Sequence, residues 1–504
     1  MRSILNNDTS HKRHILRSTS IIGGATAAGL VIGMIKMKLI AALMGPSGVG
    51  LLGLFTTLLG LGFAVIGMAI DTSGVRLLSA SANAAGRAWT SRWALWSFAV
   101  PLALFAAIAF WLLQEPIARL ALGDSHYASR VRWIGFGVAA TIISGAQIAI
   151  VQSARRMADY ARIKLWSALL AASVSLLAIY LYAISGLIIA ILAAPVATML
   201  VAFYYRRNLP RLERGPVPGF TLLRAEWTLL ATLGIAVTLT ALVGSASQIV
   251  VRAIIVQHIG LRDAGLFQAS IAISSLNLGL ILGAMIADYY PRLSEAATDS
   301  AAVNRILNQQ IHVGLMLAAP ALLGISTAAP LLLSLLYTSE FTDAALLLRL
   351  QVAADAMRVA GWALGFVLLA RGATIGYFLV EAALSTTFGF VTWMMASRVG
   401  VEAAGIGYLL GYVASLSVAL AFAARHGVHL SRSNAVWLGA LLLILLSVAA
   451  LSLVNGWLPV LVGILGVTVT AYLSLKEIVR IGFPRLPRRL ADFLRRRLGW
   501  QEGA

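Results

Sequence analysis

The most constraining feature of this sequence is a series of apolar runs, each about 20 residues long, that fills most of the chain. A run of this length crosses a bilayer as one α-helix, whereas the strands of a membrane barrel alternate apolar and polar residues. Hydrophobic residues make up 60% of the 504 residues and charged residues only 12%. We therefore predict an all-α polytopic membrane protein with about fourteen transmembrane helices.

The predicted spans are separated by short polar segments. They cover residues 18–43, 49–70, 93–113, 133–151, 165–183, 187–205, 227–256, 266–287, 311–336, 351–370, 375–396, 404–423, 435–454 and 458–475. The apolar run that follows the polar N-terminal segment is too long for the core of a signal peptide. We therefore interpret it as an uncleaved first span.

The charged residues indicate orientation and exclude several classes of partner. The net charge of +20 is dispersed through short loops, so we expect anionic lipid as the partner of these cations and no nucleic acid. Lys and Arg are in excess on the side that carries both termini, which predicts cytoplasmic termini in a bacterial inner membrane. Cysteine is absent and the seven His do not cluster, so we predict no metal and no cofactor beyond a coupling H⁺ or Na⁺.

The longest link between spans is rich in Arg, Pro and Gly, and it follows the sixth span. We predict that it joins two six-helix lobes, because its prolines prevent a continuous helix. The predicted domains are an N-lobe at 1–205, a cytoplasmic linker at 206–226, a C-lobe at 227–424, two additional C-terminal spans at 425–475 and a basic tail at 476–504. The tail has Arg and Leu at helical spacing, which predicts an amphipathic helix on the cytoplasmic membrane surface.

An internal repeat supports the division into lobes. Four residues recur 215 positions later in the same span context: Gly45, Gly50, Leu51 and Ser79 match Gly260, Gly265, Leu266 and Ser294. A shift of six spans gives both halves the same orientation, which predicts a parallel repeat around a central cleft.

Six charged residues fall within predicted spans, where charge is costly and typical of functional sites. They are Lys36, Lys38, Arg252, Arg358, Asp355 and Glu381. The four cations outnumber the two carboxylates, so the cleft is predicted to attract an anion.

The spacing of these residues limits their roles. Lys36 and Lys38 lie about 200° apart around a helix, so one is expected to face the cleft while the other reaches the interface. Asp355 and Arg358 are three residues apart, which allows either a neutral packing pair or a functional pair. Glu381 has no basic neighbour on its own helix and would either pair with Arg358 or exchange a proton.

Five sequence segments resemble the Wzx-type polysaccharide-repeat flippases of the multidrug/oligosaccharidyl-lipid/polysaccharide (MOP) exporter superfamily. They are LMGPSGVGL at 43–51, SGVRLLSA at 73–80, RDAGLFQAS at 262–270, YYPRLSEA at 289–296 and LLYTSEF at 335–341. The resemblance implies a flippase that moves an undecaprenyl-pyrophosphate-linked oligosaccharide to the periplasmic leaflet by alternating access of the two lobes. It also implies a polysaccharide polymerase and chain-length machinery as partners.

In such a flippase the cleft cations would bind the pyrophosphate. Five amide side chains within or beside spans are candidates for hydrogen bonds to sugar hydroxyls, and their alternative role is to bridge helices. They are Gln147, Gln152, Gln257, Asn277 and Gln351.

Three alternatives remain open. A lipid II flippase or a drug antiporter would share the fold, although a carrier of cationic drugs should prefer acidic cleft residues. A polysaccharide polymerase would be an enzyme with its chemistry in a large exposed loop, and the outer loops here are short. The sequence also has no G-x-x-x-x-G-K-[ST] motif, which argues against an ATPase on this chain.

Overall fold

The computed structural model describes residues 2–81, 85–209, 215–297, 299–454 and 456–481. Of these, only the backbone is described for residues 2–22, 85–86, 122, 236–237, 239–247, 276–278, 280–281, 283–288 and 478–481. The described α-helices, numbered α1 to α16, are Arg2–Ile66, Ile70–Ser81, Ala85–Leu112, Gln114–Leu122, Ala128–Ser153, Met157–Tyr182, Leu187–Arg207, Phe220–His258, Leu261–Glu295, Ser300–Thr327, Ala329–Leu336, Ala345–Ala370, Thr374–Val399, Glu402–Arg425, Arg432–Leu451 and Leu458–Ile481. The predicted all-α fold is confirmed.

Ten stretches of the described chain are long and apolar enough to cross a membrane. Two of them, Gly23–Ser81 with 59 residues and Met157–Arg207 with 51, are longer than one crossing requires. The second is interrupted by a short 3-10 helix at Ala183–Gly186. The predicted total of about fourteen spans stays a prediction.

The first long stretch contains two backbone breaks. Gly45 has φ 62° and ψ −170°, and Pro46 follows it, so α1 kinks between the first two predicted spans. Met68 and Ala69 have φ of 44° and 45°, which separates α1 from α2. The second span therefore ends at Ile66, four residues earlier than its predicted end at 70.

A proline also divides the predicted ninth span, 311–336, into α10 and α11. Pro330 has no N–H, so the carbonyl of Ser326 loses its helical hydrogen bond. Arg349 on α12 replaces this bond, because its Nε donates to the Ser326 carbonyl oxygen at 3.1 Å. Arg349 is itself buried, at 7% exposure.

The chain divides into two compact units. Unit 1 comprises residues 1–265 and 335–340, and unit 2 comprises residues 266–334 and 341–504. The predicted lobes, with their boundary at 206–226, remain a proposal. Residues 210–214 of the predicted linker and 482–504 of the predicted tail lie outside the described residues.

Each unit has its own helical core. In unit 1, α5 packs against α3 and α7, and α1 packs against α6. In unit 2, α12 packs against α10, α13, α14 and α15 and is buried along most of its length. Asn304 and Asn308 on α10 bind the segment that precedes α15, with the Nδ2 atoms donating to the carbonyls of Gly427 at 2.8 Å and His429 at 2.9 Å. The two last helices are thereby joined to unit 2.

Candidate functional site

The cations predicted in the first and seventh spans both lie in unit 1. Lys36 on α1 is half-buried and Lys38 is exposed, as their placement on nearly opposite sides of a helix requires. Among the described residues, Lys36 has no hydrogen bond or ion pair. Arg252 on α8 is buried at 9% exposure. A common anion site formed by Lys36 and Arg252 remains a proposal.

Lys38 contacts the segment 335–340, which belongs to the same compact unit. Its Nζ donates a hydrogen bond to the carbonyl oxygen of Leu335. The carboxylate of Glu340 lies beside Gly45, where a Cβ would be 3.4 Å from Oε2. The 335–340 segment therefore covers the end of the first span, and Lys36 is the lysine of this pair that is left for a ligand.

The sequence repeat contains two glycine-bounded turns, at residues 45–50 and 260–265, and these two turns contact each other within unit 1. A Cβ on Gly50 would overlap the Leu261 carbonyl oxygen and lie 2.7 Å from the Gly265 nitrogen. A Cβ on Gly265 would overlap the Pro46 carbonyl oxygen and lie 3.1 Å from the Gly50 nitrogen. Pro46 and Leu261 are also 215 residues apart, so the contact is reciprocal: each turn places its glycine against the equivalent backbone of the other. Only residues without a side chain permit this approach.

Unit 2 contains a polar stripe on one face of α12. Gln351, Asp355 and Arg358 have the spacing i, i+4, i+7, which aligns them on an α-helix. Asp355 is fully buried. Its carboxylate accepts hydrogen bonds from the Ser274 hydroxyl on α9 and from the Tyr408 hydroxyl on α14, the latter at 3.3 Å. Arg358 Nη1 lies 3.8 Å from the same carboxylate and 3.4 Å from the Tyr408 oxygen.

Gln351 of this stripe and Glu381 on α13 differ in whether their polar atoms have partners. Gln351 is fully buried, and neither its Nε2 nor its Oε1 has a hydrogen-bond partner in the described part of the chain. Glu381 on α13 is half-buried and makes no ion pair within 4 Å among the described residues, although it interacts electrostatically with Arg358. Because Asp355 compensates the charge of Arg358, we consider this arginine a weaker candidate for an anion ligand than Lys36.

The other predicted amide contacts do not gather at one place. Gln147 is buried on α5 with its Oε1 unbonded. Gln257 donates from Nε2 to the Leu120 carbonyl at 3.1 Å, which joins α8 to α4. Gln152 lines a cavity within unit 1. The side chain of Asn277 lies outside the described residues.

Sequence reasoning missed three of the residues around these sites. Ser274 and Tyr408 are neutral residues in apolar runs, and only their tertiary contact with Asp355 distinguishes them. Asp71 lines the same cavity as Gln152 and lies one residue beyond a predicted span, where a charge carries no signal. In the described part of the chain, no group of three His, Cys, Asp or Glu could hold a metal ion.

Comparison with known families gives one match that covers more than half of the chain. A family model described as a polysaccharide biosynthesis protein matches residues 39–346. The match includes both glycine turns and the 335–340 segment. No curated protein sequence matches this chain.

Several solved structures share the fold. The lipid II flippase MurJ, in an inward closed conformation, superposes with a TM-score of 0.68 at 13% identity, covering 91% of this chain and 99% of that chain. An inward-facing multidrug resistance MATE family transporter of the MOP superfamily gives 0.63 at 14% identity, covering 82% and 95%. A MOP superfamily transporter from Pyrococcus furiosus, whose reverse polarity of the binding pocket suggests a different function, gives 0.55 at 13% identity, covering 82% and 95%.

The family match and the fold agree with the helical architecture and the apolar stretches. At these low identities the structural likeness establishes the fold, and the family model establishes the membership. This chain therefore belongs to the polysaccharide biosynthesis protein family and has the fold of the MOP superfamily transporters.

Proposed function

We propose that this chain is a flippase that moves undecaprenyl-pyrophosphate-linked oligosaccharides from the cytoplasmic to the periplasmic leaflet of a bacterial inner membrane. Both termini would lie in the cytoplasm, and the chain would act as a transporter rather than as an enzyme. The observation that carries the proposal is an uncompensated lysine, Lys36, in an apolar span of a chain that belongs to a polysaccharide biosynthesis family.

The electrostatics of unit 1 support an anionic substrate. A cationic side chain within an apolar span costs free energy. Its presence there therefore favours a ligand that neutralises its charge. Pyrophosphate offers several acceptor oxygens to Lys36 and Arg252, and charge-assisted hydrogen bonds of this kind are stronger than neutral ones. The same cations disfavour a cationic drug as the substrate.

The reciprocal glycine contact supports alternating access. We propose that the contact of Gly50 with Gly265 closes the periplasmic end of the substrate path. A contact between backbones can open without extracting large interdigitated side chains. The two turns would then separate when the site faces the periplasm.

Lipid II is the second candidate substrate, because the superposition with the lipid II flippase MurJ includes 99% of the MurJ chain. Both candidates place an anionic headgroup beside the unit 1 cations. They differ in the glycan, so a comparison of the two lipids distinguishes them.

Neutralising the proposed pyrophosphate ligands is expected to slow leaflet transfer. In proteoliposomes, Lys36→Gln and Arg252→Gln should each reduce the rate for the oligosaccharide lipid about tenfold or more, because a hydrogen bond to a charged group contributes roughly 1.5–3 kcal/mol. Arg252→Lys should retain part of the rate, since it keeps the charge. An assay of glycan accessibility to an added glycosidase measures the transfer.

Arg119→Gln is the matched control. It also removes one positive charge, but its side chain is 68% exposed and pairs with Glu115 on the surface of α4. The pyrophosphate site would be wrong if Lys36→Gln, Arg252→Gln and their combination all transferred the lipid at the wild-type rate.

A further inference from the structure

Unit 1 carries a pair of arginines that the proposed pyrophosphate site does not use. Arg92 lies near the start of α3 and Arg206 near the end of α7, and both side chains are half-buried. Their positive charges are close enough to interact, and the interaction is repulsive. Neither side chain makes a hydrogen bond or an ion pair in the part of the chain that the structure describes. The pair therefore has no counter-charge among these residues.

Two carboxylates of unit 1 are already bound by other arginines. Glu226 on α8 accepts a hydrogen bond from Arg87 Nε at 3.4 Å. Asp159 on α6 has two arginine nitrogens at 3.2 and 3.0 Å. The sequence that continues from α7 adds positive charge, because residues 206–214 contain four arginines and one glutamate. These observations favour a counter-charge from outside the chain.

Aromatic rings hold the Arg206 guanidinium group against the apolar surface. Its Cζ lies 5.1 Å from the centre of the Trp96 ring on α3 and 5.2 Å from that of the Phe203 ring on α7. Its Nε is buried and has no acceptor among the described residues. A long cationic side chain at a membrane usually extends its donors into water. The rings attract the charge of Arg206, but they do not supply the acceptor oxygens that its N–H groups need.

On α3, an apolar stripe continues from Arg92 along the helix. Trp96, Val100 and Leu104 follow Arg92 at intervals of four residues, which places all four side chains on one ridge of the helix. Val100 is 51% exposed and Leu104 61% exposed. The order along this ridge is therefore a cation, an aromatic ring and two exposed aliphatic side chains.

The same order occurs on α7, read from its end. Phe203, Leu200 and Val196 precede Arg206 at intervals of three or four residues, which keeps them on one side of the helix. Leu200 and Val196 are exposed. In a bilayer, cations face the lipid phosphates, aromatic rings lie at the interface and aliphatic side chains face the acyl chains. Both helices thus match the layers of one leaflet.

We propose that Arg92 and Arg206 bind the phosphodiester headgroup of one anionic phospholipid, whose acyl chains lie along the exposed stripes of α3 and α7. A phosphate accepts hydrogen bonds from two guanidinium groups at once and reduces the repulsion between them. The site gives one defined position to the attraction for anionic lipid that the dispersed loop cations predict. In the proposed orientation of the chain, this lipid belongs to the cytoplasmic leaflet.

The arrangement favours this lipid over two others. A zwitterionic phospholipid also has a phosphate, but its ammonium group would be repelled by the two arginines. Undecaprenyl phosphate has one prenyl chain, whereas the two stripes match the two acyl chains of a phospholipid. We therefore expect the preference phosphatidylglycerol over both phosphatidylethanolamine and undecaprenyl phosphate.

The experiment titrates each of these three lipids into the purified full-length protein in detergent micelles and counts bound lipids by native mass spectrometry. The wild type is expected to bind one phosphatidylglycerol about fivefold or more tightly than either of the other lipids. Arg92→Gln and Arg206→Gln should each weaken this binding about fivefold, and the double variant about twentyfold. Arg206→Lys should retain part of the affinity, because it keeps the charge and loses the planar fork of donors.

Arg425→Gln is the matched control. Arg425 is exposed at the end of α14, and its Cζ also lies over an aromatic ring, 5.1 Å from the centre of Phe422. This variant removes the same charge and should bind phosphatidylglycerol like the wild type.

The proposal fails if the wild type binds phosphatidylglycerol no more tightly than phosphatidylethanolamine. It also fails if undecaprenyl phosphate binds more tightly, or if the Arg92 and Arg206 variants and their combination bind phosphatidylglycerol unchanged. Because no transport is measured, failure here leaves the proposed flippase function standing, and failure of lipid transfer leaves this site standing.

Discussion

Gly265→Ala is expected to open the contact between the two glycine turns. The new methyl group would overlap the Pro46 carbonyl oxygen, which belongs to the backbone and cannot rotate away. Overpacking of this kind costs about 1–3 kcal/mol, so the open fraction should rise about tenfold or more. Gly50→Ala should have the same effect, because its methyl group would overlap the Leu261 carbonyl oxygen.

A single cysteine measures the opening, because the natural chain has none. Val49 is fully buried beside Gly50, so Val49→Cys should react slowly with a water-soluble maleimide and about tenfold faster when combined with Gly265→Ala. Gly29→Ala is the matched glycine control on α1, because a Cβ there meets no atom within 4 Å. Equal labelling rates with Gly265→Ala and Gly29→Ala would contradict the role of the glycine contact.

Asp355→Ala is expected to destabilise unit 2 strongly, whereas Gln351→Leu is not, although both residues are fully buried on the same face of α12. Without Asp355, the Arg358 guanidinium loses its counter-charge and the Ser274 and Tyr408 hydroxyls lose their acceptor. Asp355 is buried but the Arg358 side chain is 35% exposed, so water screens part of the unpaired charge, and the cost should lie below the roughly 3–5 kcal/mol of a fully buried pair. Unfolding by SDS titration in mixed micelles measures the change.

Gln351→Leu removes an amide whose two polar atoms are unbonded, and an unsatisfied buried polar group costs about 1–3 kcal/mol. The free energy of unfolding of the Gln351→Leu variant should therefore be equal to or higher than that of the wild type. The double variant Asp355→Ala with Arg358→Met should recover part of the loss, since it removes the unpaired charge. If Asp355→Ala unfolded like the wild type, the ion pair would not hold unit 2 together.

The sequence predicted the local features of the fold well. Apolar runs of spanning length located helices, and the predicted boundary between the spans 18–43 and 49–70 contains the kink at Gly45, because both signals depend on neighbouring residues. The break at Met68 and Ala69 has no such signal, since neither residue favours a positive φ. It is held by tertiary packing, in which Gly234 of α8 lies against Met68.

The candidate site was predictable only in part. Charge in an apolar run is visible in the sequence, so Lys36, Arg252 and Asp355 stand out there as candidates, and their roles stay predictions. Their partners were not visible: the Leu335 carbonyl that binds Lys38 is 297 residues away, and Ser274 is 81 residues from Asp355. A backbone carbonyl and a serine hydroxyl carry no signal until the fold brings them to the charged group.

The central claim is that this chain moves a pyrophosphate-linked oligosaccharide lipid between leaflets. The most direct measurement compares initial transfer rates in proteoliposomes and protein-free liposomes for three probes: the undecaprenyl-pyrophosphate oligosaccharide, lipid II and a cationic dye. We predict the highest protein-dependent rate for the oligosaccharide lipid, a lower rate for lipid II and none for the dye. Transfer of the oligosaccharide lipid at the protein-free rate, with lipid II or the dye moved faster, would contradict the account.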